Sequence, residues 1–207
     1  VQGEAGVREA DMDFILELRK KCNKHSVLLI FDEIQTGFGR TGHLFAFEKY
    51  GVIPDVLVLG KALGGGMPMG AFIADRKLMN QLSDQPILGH ITTFGGHPIV
   101  AAAGNAAFDV LLTNQLVETV KSKEALFRSL LQHPKIKGVH GEGLLLAVEL
   151  ESFETVQQTI QQMLAKGLFS DWFLFAPNCL RIAPPLTISM EEIHWACDQI
   201  LDVLSEL

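Results

Sequence analysis

Two apolar runs constrain this chain more than any other feature: Val27-Leu28-Leu29-Ile30-Phe31 and Val56-Leu57-Val58-Leu59. Neither alternates with polar residues, the pattern of strands buried on both faces of a parallel sheet. Each stops abruptly at polar chemistry, the first at Asp32-Glu33 and the second at Gly60-Lys61. Ala71-Phe72-Ile73-Ala74 predicts a third short strand. Met12, Ile15, Leu18 and Cys22 recur at helical spacing over residues 11–25, which predicts an amphipathic helix ahead of the first strand.

A short helix is expected over 45–50. Residues 98–112 are small and apolar nearly all round, which predicts a buried helix packed close to other backbone. A long helix is expected over 114–133. The character then changes, with a strand at 144–150, a helix at 153–166 and extended segments near 168–175 and 180–182. Ser189 with Glu192 forms a capping box for a last helix, whose core stripe is Ile193, Cys197, Ile200, Leu201 and Leu204. Alternating strands and helices indicate an α/β chain in two domains, residues 1–125 and 126–207.

Charge and composition narrow the function. Seventeen basic against 24 acidic residues give a net charge of −7, and no basic stripe exists to neutralise nucleic-acid phosphates. Apolar residues make up 48% of the 207, enough for a sizeable core. Cys22, Cys179 and Cys197 match neither a disulfide framework nor a zinc spacing, and they suit a reducing, cytoplasmic setting. No run reaches the roughly 18 apolar residues of a membrane span. The opening Val1-Gln2-Gly3-Glu4 reads as a start in mid-protein, so the chain is expected to be the C-terminal part of something longer.

In open α/β sheets, ligands bind outside the carboxyl ends of the strands. Asp32 and Lys61 both follow such ends and are expected to face one crevice. A lysine acts as a nucleophile where desolvation or a nearby cation frees its amine, and Gly64-Gly65-Gly66 beside Lys61 permits close approach of a ligand. A desolvated lysine opposite an aspartate is what pyridoxal phosphate requires: the lysine forms a Schiff base and the aspartate keeps the pyridine nitrogen protonated. Arg40 is expected to order its Gly-rich loop, and His43, His90 and His97 have no metal-ligand spacing. Gly37, Gly39 and Gly42 do not fit a dinucleotide fingerprint and are expected to be conformational, while Cys179 and Cys197 are expected to pack.

The segment Leu29-Ile30-Phe31-Asp32-Glu33-Ile34-Gln35-Thr36-Gly37-Phe38-Gly39-Arg40-Thr41-Gly42 resembles the signature of the class III (fold type I) pyridoxal-phosphate aminotransferases. Pro54-Asp55, Gly60-Lys61-Ala62-Leu63-Gly64-Gly65-Gly66 and Thr93-Phe94-Gly95-Gly96-His97-Pro98 continue the resemblance in order. The group includes ornithine, acetylornithine and 4-aminobutyrate aminotransferases. The resemblance implies the C-terminal half of a coenzyme-binding large domain with a mainly parallel sheet, followed by a small α+β domain. It implies that Lys61 is the Schiff-base lysine, Asp32 the partner of the pyridine nitrogen and Gln35 the hydrogen-bonding partner of the phenolic oxygen. Thr93, with Thr92, would reach the phosphate of the neighbouring subunit's coenzyme, which implies a homodimer with shared active sites. Arg181 would clamp a substrate carboxylate, and Glu4 would pair with that arginine as in members acting on ω-amino acids. An amino-acid or ω-amine donor and a 2-oxo acid acceptor such as 2-oxoglutarate follow.

The family's Gly/Ser-rich phosphate loop and ring-stacking aromatic residue do not occur before Asp32, so weak coenzyme retention is expected of the isolated chain. Two alternatives stay open: a non-catalytic fragment acting as a folded interaction domain, or an aminomutase or decarboxylase of the same fold.

Overall fold

Asp11 opens the first helix, α1 (Met12–His25), its carboxylate accepting the Asp13 N–H at 2.8 Å. Ser26 ends α1 in the left-handed conformation, and Ile15 and Cys22 form its buried stripe. The computed structural model describes all residues, 1–207, and divides them into two compact units. One unit comprises Asp11–Phe38 and His43–Asn114; the other comprises Val1–Ala10, Gly39–Gly42 and Gln115–Leu207. No helix is long and apolar enough to cross a membrane.

The first unit is built on a three-stranded sheet. Strand β1 (Ile30–Asp32) pairs parallel with β2 (Val56–Leu59), in a register that sets Ile30 against Val56 and Asp32 against Val58. Strand β3 (Ala71–Ala74) returns antiparallel along the other side of β2. The sheet is therefore mixed, where a mainly parallel one was expected. The reason is local: residues 60–70 hold only the 3₁₀ turn Lys61–Gly64, and a parallel return needs a crossover of a dozen or more residues.

The expectation of a strand buried on both faces also fails, since Leu28 and Ile30 are exposed, Ile30 by 56%. β1 is an edge strand of this sheet, and Leu28 and Ile30 line an open cavity with Leu78, Met79 and Leu82. A four-residue helix, α2 (Phe47–Tyr50), lies between the two parallel strands in sequence. Helix α3 (Arg76–Asp84), capped by Asp75 through the Leu78 N–H at 2.8 Å, was not foreseen. Helix α4 (Pro98–Thr113) buries only Gly104 and Leu111. It is thus close-packed along one side, against the Lys61–Gly64 turn, and not all round.

Asp55 ties α1 to the paired strands. Its Oδ2 accepts the Leu29 N–H at 2.7 Å and Arg19 Nη1 at 2.8 Å. The backbone bond first, and the guanidinium second, hold the Asp55 carboxyl below its ordinary pKa. A carboxyl lowered on folding contributes stability above its unfolded pKa of about 4, and that contribution is lost as pH falls through the lower folded value. The melting temperature is therefore expected to drop on acidification below about pH 4, with a shallower acid dependence in Asp55→Asn. Identical melting profiles for the two proteins would contradict this role.

The second unit holds an antiparallel sheet in the order β4 (Gly138–Glu142), β5 (Leu145–Glu149), β7 (Ala176–Ile182), β6 (Trp172–Phe173). Strand β5 is buried on both faces. Leu146 and Val148 join the main core with Phe127, Met163, Ile193 and Ile200, while Leu145 and Ala147 pack with Val7, Phe173 and Cys179. The long helix expected over 114–133 is instead the 3₁₀ turn Leu116–Thr119 followed by α5 (Val120–Leu130), after Gln115 adopts a left-handed conformation. Helix α6 (Phe153–Ala165) and the last helix, α7 (Met190–Glu206), complete the unit. The capping box of α7 is present, with the Glu192 N–H on Ser189 Oγ at 3.1 Å and the Ser189 N–H on Glu192 Oε2 at 2.7 Å.

Arg40 orders its loop as expected: Nη1 donates to the Leu144 carbonyl at 2.9 Å and to the Pro184 carbonyl at 2.6 Å, and burial pushes the guanidinium pKa down. Cys22, Cys179 and Cys197 are all buried free thiols.

Candidate functional site

Because β1 and β2 run parallel, their carboxyl ends share one edge of the sheet, and Asp32 and Lys61 both lie there. Asp32 is level with Val58, and Lys61 opens the 3₁₀ turn that follows the last residue of β2, Leu59, after Gly60. Asp32 is exposed, and its Oδ1 accepts the Ile34 N–H at 3.0 Å. Gln35 follows in the same turn, partly buried.

Lys61 is exposed, not desolvated as expected, although Leu59 and Gly60 just before it are buried. Its backbone is unusual. Lys61 has φ 44°, in the left-handed region that non-glycine residues enter only at a cost. The turn is held by close approach to α4: a side chain at Gly104 would meet the Leu63 carbonyl oxygen at 2.6 Å, and one at Gly65 would meet the Ala103 carbonyl oxygen at 2.5 Å. Strain of this kind persists only where the surroundings over-determine it.

Thr92 and Thr93 stand in an exposed turn just before α4, where the Thr92 carbonyl accepts the Gly95 N–H at 3.4 Å. None of their hydrogen bonds reaches Asp32, Gln35 or Lys61. The same segment exposes Ile87, Leu88, Ile91, Phe94 and Ile99, Phe94 by 79%.

Glu4 and Arg181 belong to the second unit and pair with each other. Arg181 Nη2 donates to Glu4 Oε1 at 3.0 Å and to Oε2 at 2.9 Å, and also to the Trp172 carbonyl at 3.2 Å. The guanidinium lies 4.5 Å from the centroid of the Phe173 ring, and its buried Nε has no hydrogen-bond partner. The contact is thus one nitrogen on two oxygens, not the parallel two-nitrogen fork of the strongest arginine–carboxylate pairs.

One residue escaped the sequence reading. Glu33 is 2% exposed, and its carboxylate is satisfied by the Ala46 N–H at 2.6 Å, the Phe47 N–H at 2.8 Å and the Thr36 hydroxyl at 3.3 Å. A buried acid at the end of an apolar run was its only signal in the sequence.

The carboxylate of Asp32, the amide of Gln35 and the amine of Lys61 are, as donor types, those that pyridoxal phosphate calls for. Residues 1–204 match the family described as aminotransferase class III. An acetylornithine aminotransferase from Caldanaerobacter subterraneus subsp. tengcongensis is 38% identical over 213 residues, spanning 100% of this chain and 52% of that protein. The crystal structure of acetylornithine aminotransferase from Elizabethkingia anophelis superposes with a TM-score of 0.90 at 35% identity, over 100% of this chain and 52% of that one. An ornithine aminotransferase from Toxoplasma gondii, described with partial occupancy of PLP at its active site, gives a TM-score of 0.90 at 33% identity, over 100% and 49%. The chain spans about half the length of the relatives it matches.

Proposed function

The chain belongs to the aminotransferase class III family, and on that footing we propose that it carries the lysine and aspartate of a pyridoxal-phosphate site that moves an amino group from an amino acid or ω-amine to a 2-oxo acid. When bound, the coenzyme supplies an electron sink conjugated to the substrate carbon. In this reading Lys61 would hold the coenzyme through its Nζ and would take a proton from the substrate carbon and return it, as general base and acid. Asp32 would hold the coenzyme at its ring nitrogen and keep that nitrogen protonated, and Gln35 would hold it at the phenolic oxygen.

Thr93, with Thr92, contributes hydroxyls to the phosphate bound by a second copy of the chain. The exposed apolar side chains around them, from Ile87 to Ile99, support a homodimer that covers this segment. Arg181 binds the substrate carboxylate, and Glu4 neutralises it when that carboxylate is absent, which favours donors with an ω-amino group. We assign the coenzyme-binding domain to the unit of Asp11–Phe38 and His43–Asn114, which carries Asp32 and Lys61, and the small C-terminal domain to the other unit.

The observation that carries the proposal is the placement of Asp32 and Lys61 beyond the same ends of adjacent parallel strands. The test is glutamate formation from ornithine and 2-oxoglutarate with coenzyme in excess. Transfer is expected to require all three components, and to fall about a hundredfold in Asp32→Asn, the order lost when one preorganised electrostatic partner is removed. Glutamate formation no greater than in Lys61→Ala would overturn the catalytic reading and leave a folded interaction domain.

A further inference from the structure

The buried carboxylate of Glu33 has no part in the proposed chemistry, yet it lies between two residues that do. We infer that Glu33 is the positioning residue for Asp32 and Gln35, an inference that rests on the coenzyme site proposed above. Five hydrogen bonds converge on it. Its N–H donates to the Val58 carbonyl at 2.9 Å, which extends the parallel pairing one residue past Asp32. Its carbonyl accepts the Gly37 N–H at 3.0 Å, which closes the turn that contains Gln35. Its carboxylate takes the three contacts from Ala46, Phe47 and Thr36, which fasten that turn to the start of α2.

Successive side chains of a strand point to opposite faces. Holding Glu33 inward therefore holds Asp32 outward, where it is exposed at the strand end. A slip of one residue would exchange them and turn the proposed ring-nitrogen partner into the protein. Both carboxylate oxygens are committed, Oε1 to the Phe47 N–H and Oε2 to the Ala46 N–H, so a neutral amide cannot replace the carboxylate. In Glu33→Gln one oxygen becomes an NH₂ group that faces a donor, and one buried backbone N–H loses its acceptor.

The experiment compares the parent protein, Asp32→Asn and Glu33→Gln at coenzyme excess, reading the visible spectrum of the bound coenzyme and peptide-mapped borohydride labelling of Lys61. Glu33→Gln is expected to keep the labelling at Lys61, to weaken half-saturation by coenzyme at least about tenfold, and to shift the spectrum in the direction of Asp32→Asn. A merely structural acid would lower the melting temperature and leave the spectrum of the bound protein unchanged, which would overturn the inference while the coenzyme site stands. Should Glu33→Gln not fold, Thr36→Val removes only the hydroxyl contact, and the same spectral shift is expected at smaller amplitude; a parental spectrum in Thr36→Val then overturns the inference. No preferential labelling of Lys61 in the parent would sink the coenzyme site, and this role with it.

Discussion

Lys61→Gly is expected to give a protein at least as stable as the parent and unable to take up coenzyme covalently. The two effects have separate causes. Lys61 sits at φ 44°, a conformation that costs a side-chain-bearing residue about 1–2 kcal/mol, whereas glycine enters it freely. Glycine's greater freedom in the unfolded chain takes back about 0.5–1 kcal/mol, so the net gain is expected to be up to about 1 kcal/mol. Lys61→Ala keeps the strained backbone and is expected to melt with the parent. Both substitutions remove the only amine placed beyond β2, and transfer is expected to fall by about a thousandfold or more, the scale of a lost nucleophile and general base. A Lys61→Gly protein that melts well below the parent would mean that the lysine side chain, not the packing on α4, holds the strained turn.

Gly65→Ala is expected to be the most damaging small substitution near the site. The added carbon would lie 2.5 Å from the Ala103 carbonyl oxygen and 2.9 Å from the Ala107 side chain, and φ +57° is already unfavourable for alanine. Overpacking against helix backbone and the left-handed strain together are expected to cost about 3 kcal/mol, a large share of a domain's stability. Gly66→Ala separates the two terms. Its φ is +94°, but no atom lies within 4 Å of the added carbon, so only the backbone cost applies. Thermal unfolding should therefore rank the parent first, Gly66→Ala second and Gly65→Ala last, and Lys61 labelling should fall in Gly65→Ala because the turn is pushed off α4. Equal losses in the two variants would show that the approach of α4 to the turn is not what holds Lys61.

What could be seen in the sequence divides along physical lines. The parallel pair β1–β2, the first and last helices, the β5 strand and the Ser189–Glu192 cap all come from local signals, namely apolar runs, helical spacing and a capping pair. The placement of Asp32 and Lys61 at one sheet edge follows from those runs ending where they do. The antiparallel return of β3 did not come through, because strand direction depends on what the 60–70 link can span, not on the strand's own residues. The exposure of Ile30 and of most of α4 did not either, since composition reports what a segment would bury and not whether a covering layer is present. Glu33 was hidden for a related reason: its partners Ala46 and Phe47 are backbone donors, and no residue type advertises a backbone N–H.

The central claim is that the Lys61 amine and the Asp32 carboxylate grip opposite ends of one coenzyme. Borohydride reduction after incubation with pyridoxal phosphate, followed by peptide mapping, tests it most directly. The account predicts a phosphopyridoxyl group concentrated on the Lys61 peptide, reduced in Asp32→Asn and absent in Lys61→Ala. Labelling spread across the exposed lysines according to their accessibility, with no preference for Lys61 and no response to Asp32, would contradict it.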